Sequence, residues 1–188
     1  MERISASNPG LDAEIRSACE GDETAFAVVF RALNPVLVRY LRVRAPDLAE
    51  DAAAETWVSV VRGMRTFKGD ATGFRSWLFT IARSKVVDAV RKAGRTPALL
   101  VDDWTGLEPP AVGDAGQEAL AGLGTARAMR LVAQLPPEQA EIVSLRVLAD
   151  LDVAAVATIV GKSPGAVRVA QHRALKRLAE IVAAEGGW

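Results

Sequence analysis

Apolar side chains recur every three to four residues along most of this chain, the period of an amphipathic helix. A first helix fits Leu11 to Glu20. Asp22 or Thr24 begins a second, with Phe26, Val29, Phe30 and Leu33 on one stripe. Asn34 and Pro35 read as an N-cap and first-turn proline that restart the helix through Leu37, Tyr40 and Leu41. Pro46 and Asp47 repeat the device and open a helix to about Phe67, whose apolar side carries Ala53, Trp57, Val60, Val61 and Met64. After a loop from Lys68 to Gly73, a helix from Phe74 to about Ala93 turns Phe74, Leu78, Ile81, Ala82, Val86 and Val90 inward.

Beyond Arg95 the period fails. Residues 96–124 hold prolines, glycines and acids without a sustained apolar repeat, which reads as a linker, and strand-like alternation is confined to Ala98 to Val101. Helical spacing resumes at about Thr125 and runs to Leu135, where Pro136 and Pro137 stop one helix and begin the next, Glu138 to Leu148. Two more follow, about Asp152 to Val160 and Pro164 to Ala184, separated by Gly161, Lys162 and Ser163. The expected fold is all-α: two small helical domains, 1–95 and 125–188, joined by a flexible linker over 96–124, with a helix-turn-helix in the second.

Composition adds exclusions. With one His and one Cys in 188 residues, the chain holds no disulfide framework, no cysteine-rich zinc site and no paired-histidine metal motif. No constellation places a nucleophile beside a base, so an enzyme, a cofactor and a metal site are all unexpected. No apolar run approaches the roughly 20 residues of a membrane span, and the N-terminus lacks the apolar centre of an export signal, so a cytoplasmic protein without membrane insertion is expected.

Charge changes the picture more. The formal net charge is zero, from 23 basic and 23 acidic residues, yet the two signs are segregated. Residues 101–126 carry five acids (Asp102, Asp103, Glu108, Asp114, Glu118) and no base, while Arg75 to Arg95 and Val153 to Ala179 are basic clusters. Two basic surfaces on one acidic tether indicate two anion-binding modules.

The helix-turn-helix is the sharpest local signal. Gly161 supplies the positive φ of the turn, Ser163 caps the second helix and Pro164 occupies its first turn. A 100° step per residue puts Val167, Gln171, Ala174 and Leu178 inside. Gly165, Val169, His172 and Lys176 then face outward, flanked by Arg168 and Arg173, a surface suited to the major groove. A plain helical hairpin with a solvated basic face has the same pattern, and the uncompensated charge favours DNA.

The stretch Asp51-Ala-Ala-Ala-Glu-Thr-Trp-Val-Ser-Val-Val-Arg-Gly-Met64, with Phe67 and the run from Phe74-Arg-Ser-Trp-Leu-Phe to Lys92, resembles the promoter-melting domain of bacterial sigma factors, the small extracytoplasmic-function (ECF) class above all. Leu135-Pro-Pro-Glu-Gln-Ala-Glu-Ile-Val and the run from Gly161 to Leu178 resemble the C-terminal domain of the same class. The resemblance implies a sigma initiation factor that binds core RNA polymerase and directs it to promoter DNA, with an anti-sigma factor as a further partner. It assigns minus-35 duplex to Ser163, Gly165, Arg168, Val169, His172, Arg173 and Lys176. Melted minus-10 DNA falls to Lys68, Asp70, Arg75, Thr80, Arg83, Lys85 and Arg91. Core polymerase falls to Glu50, Asp51, Glu55, Trp57, Val58 and Met64.

Some residues keep two readings. The three acids also suit the positive end of their own helix dipole. Trp77 is a base-stacking platform or a core side chain, with core favoured by its spacing from Phe74 and Ile81. The acidic linker is a solvated tether or a stand-in for RNA phosphates along a basic path in the polymerase. Asp152-Val153, and Val169, Ala170 and Gln171, depart from residues frequent in the class, which implies a shifted minus-35 preference. No C-terminal regulatory domain is expected beyond Trp188. The alternative is a helix-turn-helix regulator that does not associate with core polymerase; it explains the C-terminal half but not the acidic helix or the aromatic and basic run after Gly73.

Overall fold

The computed structural model describes residues 11–94 and 125–184, and all regular structure among them is helical. The linker over 96–124, with its strand-like stretch and its five acids, lies outside the described residues.

Helix α1 (Asp12–Glu20) ends at Gly21, whose φ of 106° is left-handed. One residue later the Asp22 carboxylate accepts the Thr24 and Ala25 backbone N–H groups at 2.8 and 3.1 Å and starts α2 (Glu23–Arg44). Contrary to the expected restart at Pro35, α2 is one helix of 22 residues with the proline inside it. A mid-helix proline costs about 3 kcal/mol. Seven buried side chains along α2, including Val29, Leu33, Leu37, Tyr40 and Leu41, offset that cost. Asn34 does not cap; its Oδ1 accepts the indole N–H of Trp57 at 2.9 Å.

A short 3₁₀ turn (Pro46–Leu48) leads into α3 (Ala49–Met64). Helix α4 (Ala71–Lys92) starts three residues before the apolar pattern does, because Asp70 accepts the Gly73 N–H at 2.7 Å and caps it. The C-terminal group comprises α5 (Thr125–Val132), α6 (Pro137–Val143), a π-helical turn (Ser144–Leu148), α7 (Val153–Val160) and α8 (Pro164–Ala184).

Aromatic rings fill the N-terminal core. Trp57 stands edge-on to Phe26 at 5.8 Å and packs on Phe30 at 4.9 Å, and Tyr40 stands edge-on to Phe79 at 5.4 Å. That core does not stop at the linker. It continues into Ile142, Leu145, Ala149, Leu151, Val156 and Ile159 of the C-terminal group, because α6 and the π-helical turn lie on α2, and α7 lies on α4. A second, smaller cluster, with Leu131, Leu135, Val143, Ala174 and Leu178, holds α5 and α6 against α8. Helix α2 is also long and apolar enough to cross a membrane, but its buried stripe makes it the central helix of this core.

Candidate nucleic-acid interface

The turn before α8 is built as its sequence indicates. Gly161 ends α7 in the left-handed region at φ 72°, Asp152 caps α7 through the Ala155 N–H at 2.7 Å, and the Ser163 hydroxyl receives the Ala166 N–H at 3.2 Å. Val167, Gln171, Ala174 and Leu178 are buried. Ser163, Arg168, Arg173 and Lys176 are exposed, and Gly165 and His172 are half-buried. Val169 is a correction: expected outward, it is 6% exposed, so its side chain offers little to a groove. Three consecutive side chains on this helix, Val169, Ala170 and Gln171, are buried together with Val167, Ala174 and Leu175, which widens the buried stripe beyond the one narrow row that 100° steps mark out.

The buried Gln171 has a partner. Arg146, on the π-helical turn, donates from Nε to Gln171 Oε1 at 3.1 Å and from Nη1 to the Leu151 carbonyl. Burial holds this guanidinium below its ordinary pKa. Arg146 therefore ties α8 to the turn before α7. Lys162, between α7 and α8, pairs with Glu138 at 2.9 Å.

On the N-terminal group, Lys68, Asp70, Thr80 and Arg91 are exposed, while Arg75, Arg83 and Lys85 are half-buried. The Asp70 carboxylate caps α4. The Thr80 hydroxyl bonds the Ser76 carbonyl at 2.8 Å, and Arg91 lies 3.9 Å from Asp88. Lys85 reaches Glu55 of α3 at 3.8 Å. Arg75 and Arg83 turn toward the other half of the chain: Arg75 donates to the Ala149 carbonyl at 3.2 Å and lies 3.8 Å from Asp150, and Arg83 pairs with Glu141 at 3.1 Å. Trp77 stacks on Phe67 at 5.2 Å and packs against the core, with Gly63 of α3 beneath it; a Cβ at Gly63 would stand 2.8 Å from the indole.

On α3, Glu50, Asp51 and Glu55 are exposed, with Glu50 paired to Arg42 at 2.7 Å. Val58 and Val61, 49% and 54% exposed, are the exposed large hydrophobic side chains among the described residues. Val61 was expected inward. Trp57 and Met64, expected on the polymerase face, are 6% and 4% exposed and belong to the core. The period along α3 does not separate a buried stripe from an outer apolar patch, because both are apolar.

The sequence pattern also passes over a buried cluster. Glu141 of α6 is 1% exposed, and its Oε1 accepts from the Tyr40 hydroxyl at 3.1 Å and from Arg83 Nε at 3.1 Å, with Arg44 Nε 3.5 Å away. Burial first, and the neighbouring Glu141 charge second, hold the Tyr40 hydroxyl well above the ordinary phenol range. The available signal was one acid set among Ala140, Ile142 and Val143 on an otherwise apolar segment.

Two family matches cover the two helical groups in order. Residues 29–96 match Sigma-70 region 2, and residues 125–178 match Sigma-70, region 4. The chain is 35% identical over 190 aligned residues to the ECF RNA polymerase sigma factor SigD of Mycobacterium tuberculosis, covering 95% of this chain and 86% of that one. It is also 35% identical over 178 residues to the ECF RNA polymerase sigma factor ShbA of Streptomyces griseus, covering 89% and 93%. In fold it is similar to CnrH, solved in complex with the cytosolic domain of CnrY, with a TM-score of 0.61 at 20% identity over 93% of this chain and 99% of that one. The sigma factor RpoE of Bartonella quintana, solved with the anti-sigma factor NepR, gives a TM-score of 0.61 at 21% identity, over 85% and 98%. With both regions matched in series and relatives aligned over nearly its whole length, this chain belongs to the ECF sigma factors of the sigma-70 family, which are non-enzymatic transcription initiation factors.

Proposed function

We propose that this sigma factor works as two modules, residues 1–95 and 125–188, joined by the acidic linker. It docks on core RNA polymerase through α3 and reads minus-35 duplex with the exposed face of α8. The loop and helix from Lys68 to Arg91 capture melted minus-10 DNA. Duplex reading rests on Ser163, Arg168, His172, Arg173 and Lys176, with Gly165 leaving room for close backbone approach. Strand capture rests on cations that hold the backbone of an unpaired strand, Lys68, Arg75, Arg83, Lys85 and Arg91.

The observation that carries this reading over a stand-alone regulator is the patch on α3. Exposed Val58 and Val61 lie on the same helix as Glu50, Asp51 and Glu55, an apolar centre with an acidic rim of the kind that protein interfaces use. The reading includes a cytoplasmic location and an anti-sigma factor as negative partner, in keeping with the complexes in which the related folds were solved.

Run-off transcription with core polymerase on genomic fragments tests it. The expected result is specific transcripts that depend on the chain; no specific transcript from any fragment overturns it. Charge reversal at Arg168 and Arg173 should abolish promoter binding and leave core association intact. Co-elution with core polymerase on gel filtration separates the proposal from a regulator, which would elute apart.

A further inference from the structure

The arrangement around Glu141 ties the two helical groups together through Arg83, one of the cations assigned above to DNA. One carboxylate, 1% exposed, faces two guanidiniums and a phenol that all belong to the N-terminal group. Arg44 is 8% exposed at its side chain, and its Nε, shut off from solvent, has no hydrogen-bond partner while pointing at the carboxylate from 3.5 Å. The donors thus outnumber what one carboxylate oxygen satisfies. Two cations and a hydroxyl converging on one small acceptor is the chemistry of an oxyanion site, and a phosphodiester, with two non-bridging oxygens sharing one negative charge, offers it the same kind of acceptor as Glu141 does.

The compact arrangement is also the wrong size for the proposed function. A folded body of about 140 residues has a radius of gyration of about 15 Å and is roughly 40 Å across. Elements centred about 25 base pairs apart lie roughly 85 Å apart at about 3.4 Å per pair. The helical groups must separate to read both, and separation withdraws Glu141 from Arg44 and Arg83. Two guanidiniums brought close together and left without their carboxylate repel each other, so an anion that replaces it is favoured.

Resting on the promoter-binding reading, we propose that Tyr40, Arg44 and Arg83 form an anion site that Glu141 fills in the compact arrangement and that a DNA backbone phosphate fills once the two groups separate. Closure and DNA binding then compete for the same two guanidiniums, and Glu141 sets how readily the chain opens. The ligand class is a phosphodiester, and no base is read here.

The test uses the full chain, a 20-nucleotide oligothymidylate as probe, fluorescence anisotropy over a salt series, and small-angle scattering. If one tenth of the chain is open, Glu141→Gln should enlarge the radius of gyration and tighten the oligonucleotide about tenfold, the reciprocal of the open fraction. Adding Arg44→Gln should remove most of that gain and flatten the slope of log affinity against log salt by about 0.7, one single-strand phosphate contact. A chain that opens without binding more tightly, or a slope unchanged by Arg44→Gln, overturns the proposal. If Glu141→Gln does not fold, Asp150→Asn loosens the seam at Arg75 without touching Tyr40, Arg44 or Arg83; it should tighten the probe by about twofold, a smaller shift in the same equilibrium, and no gain, or a gain that Arg44→Gln leaves in place, overturns the proposal. Run-off transcription reports separately. Transcripts without this competition leave the sigma reading standing and remove the anion site. Competition without transcripts does the reverse.

Discussion

The two helical groups solve the same packing problem with different materials. Among the described residues every aromatic side chain lies in the N-terminal group, where two helices of 22 residues and one of 16 enclose edge-on and stacked rings. The C-terminal group has helices of seven or eight residues apart from α8, with alanine, valine, leucine and isoleucine inside. Small side chains let short helices cross closely around a tight turn, but they bury less area per residue than rings do. The C-terminal group accordingly divides its apolar surface: one set closes on itself around Leu131 and Leu178, and the other continues the N-terminal core. On the proposed function α8 must remain exposed on one face, so a module built around it has less surface with which to build a private core.

That contrast is open to direct attack. The largest effect should come from Phe79→Ala, since the ring is fully buried against Tyr40; urea unfolding should show a loss of about 3–5 kcal/mol. Leu145→Ala, at the seam between the groups, should cost about 2–5 kcal/mol. Hydrogen exchange should then rise in α2 as well as in α6 if the core is shared; protection lost in the C-terminal group alone would mean that the two groups are independent.

Gly63→Ala tests how closely α3 approaches α4 beneath Trp77. Alanine favours a helix, but the new methyl meets the indole at 2.8 Å, so a net loss of about 1–3 kcal/mol is expected. The double variant with Trp77→Leu should recover most of it; an additive loss would place the strain elsewhere. Gly161→Ala has open space around its Cβ and only the left-handed backbone to oppose it, so about 1–2 kcal/mol is expected, read as a fall in Tm. Smallest is Asp152→Ala, which removes a helix cap for about 1 kcal/mol.

A pH series sharpens the seam in another way. Because the folded Tyr40 hydroxyl titrates above its unfolded value of about 10, its contribution is whole below that pH and is lost as pH rises through the folded value. The urea midpoint should therefore fall as pH is raised past about 10, and Tyr40→Phe should flatten that fall. An equal slope in both proteins would remove Tyr40 from the linkage.

Much of this was legible before any coordinates. The turn of the helix-turn-helix and the inner row of α8 were readable because each part is local: Gly161 turns, Ser163 caps, and 100° steps put Val167, Gln171, Ala174 and Leu178 inside. The reading failed where a helix is buried on more than one side. Phe79 and Val169 fall off their predicted stripes because neighbours cover a second face of α4 and α8. Pro35 misled for a related reason, since the capping signal at Asn34 is local and the buried stripe that carries α2 through it is tertiary.

The sequence alone determined the helices, the segregation of charge, the turn before α8 and the family. These depend on residues within a few positions of each other or on a pattern repeated along one segment. Tertiary structure decided which apolar residues of α3 are core and which form a surface. It also decided that the core runs through both groups, and that Glu141, 58 residues from Arg83 and 101 from Tyr40, meets them in one buried cluster. No local rule pairs charges at that separation; a buried carboxylate finds its cations only when packing has removed the water that would otherwise serve.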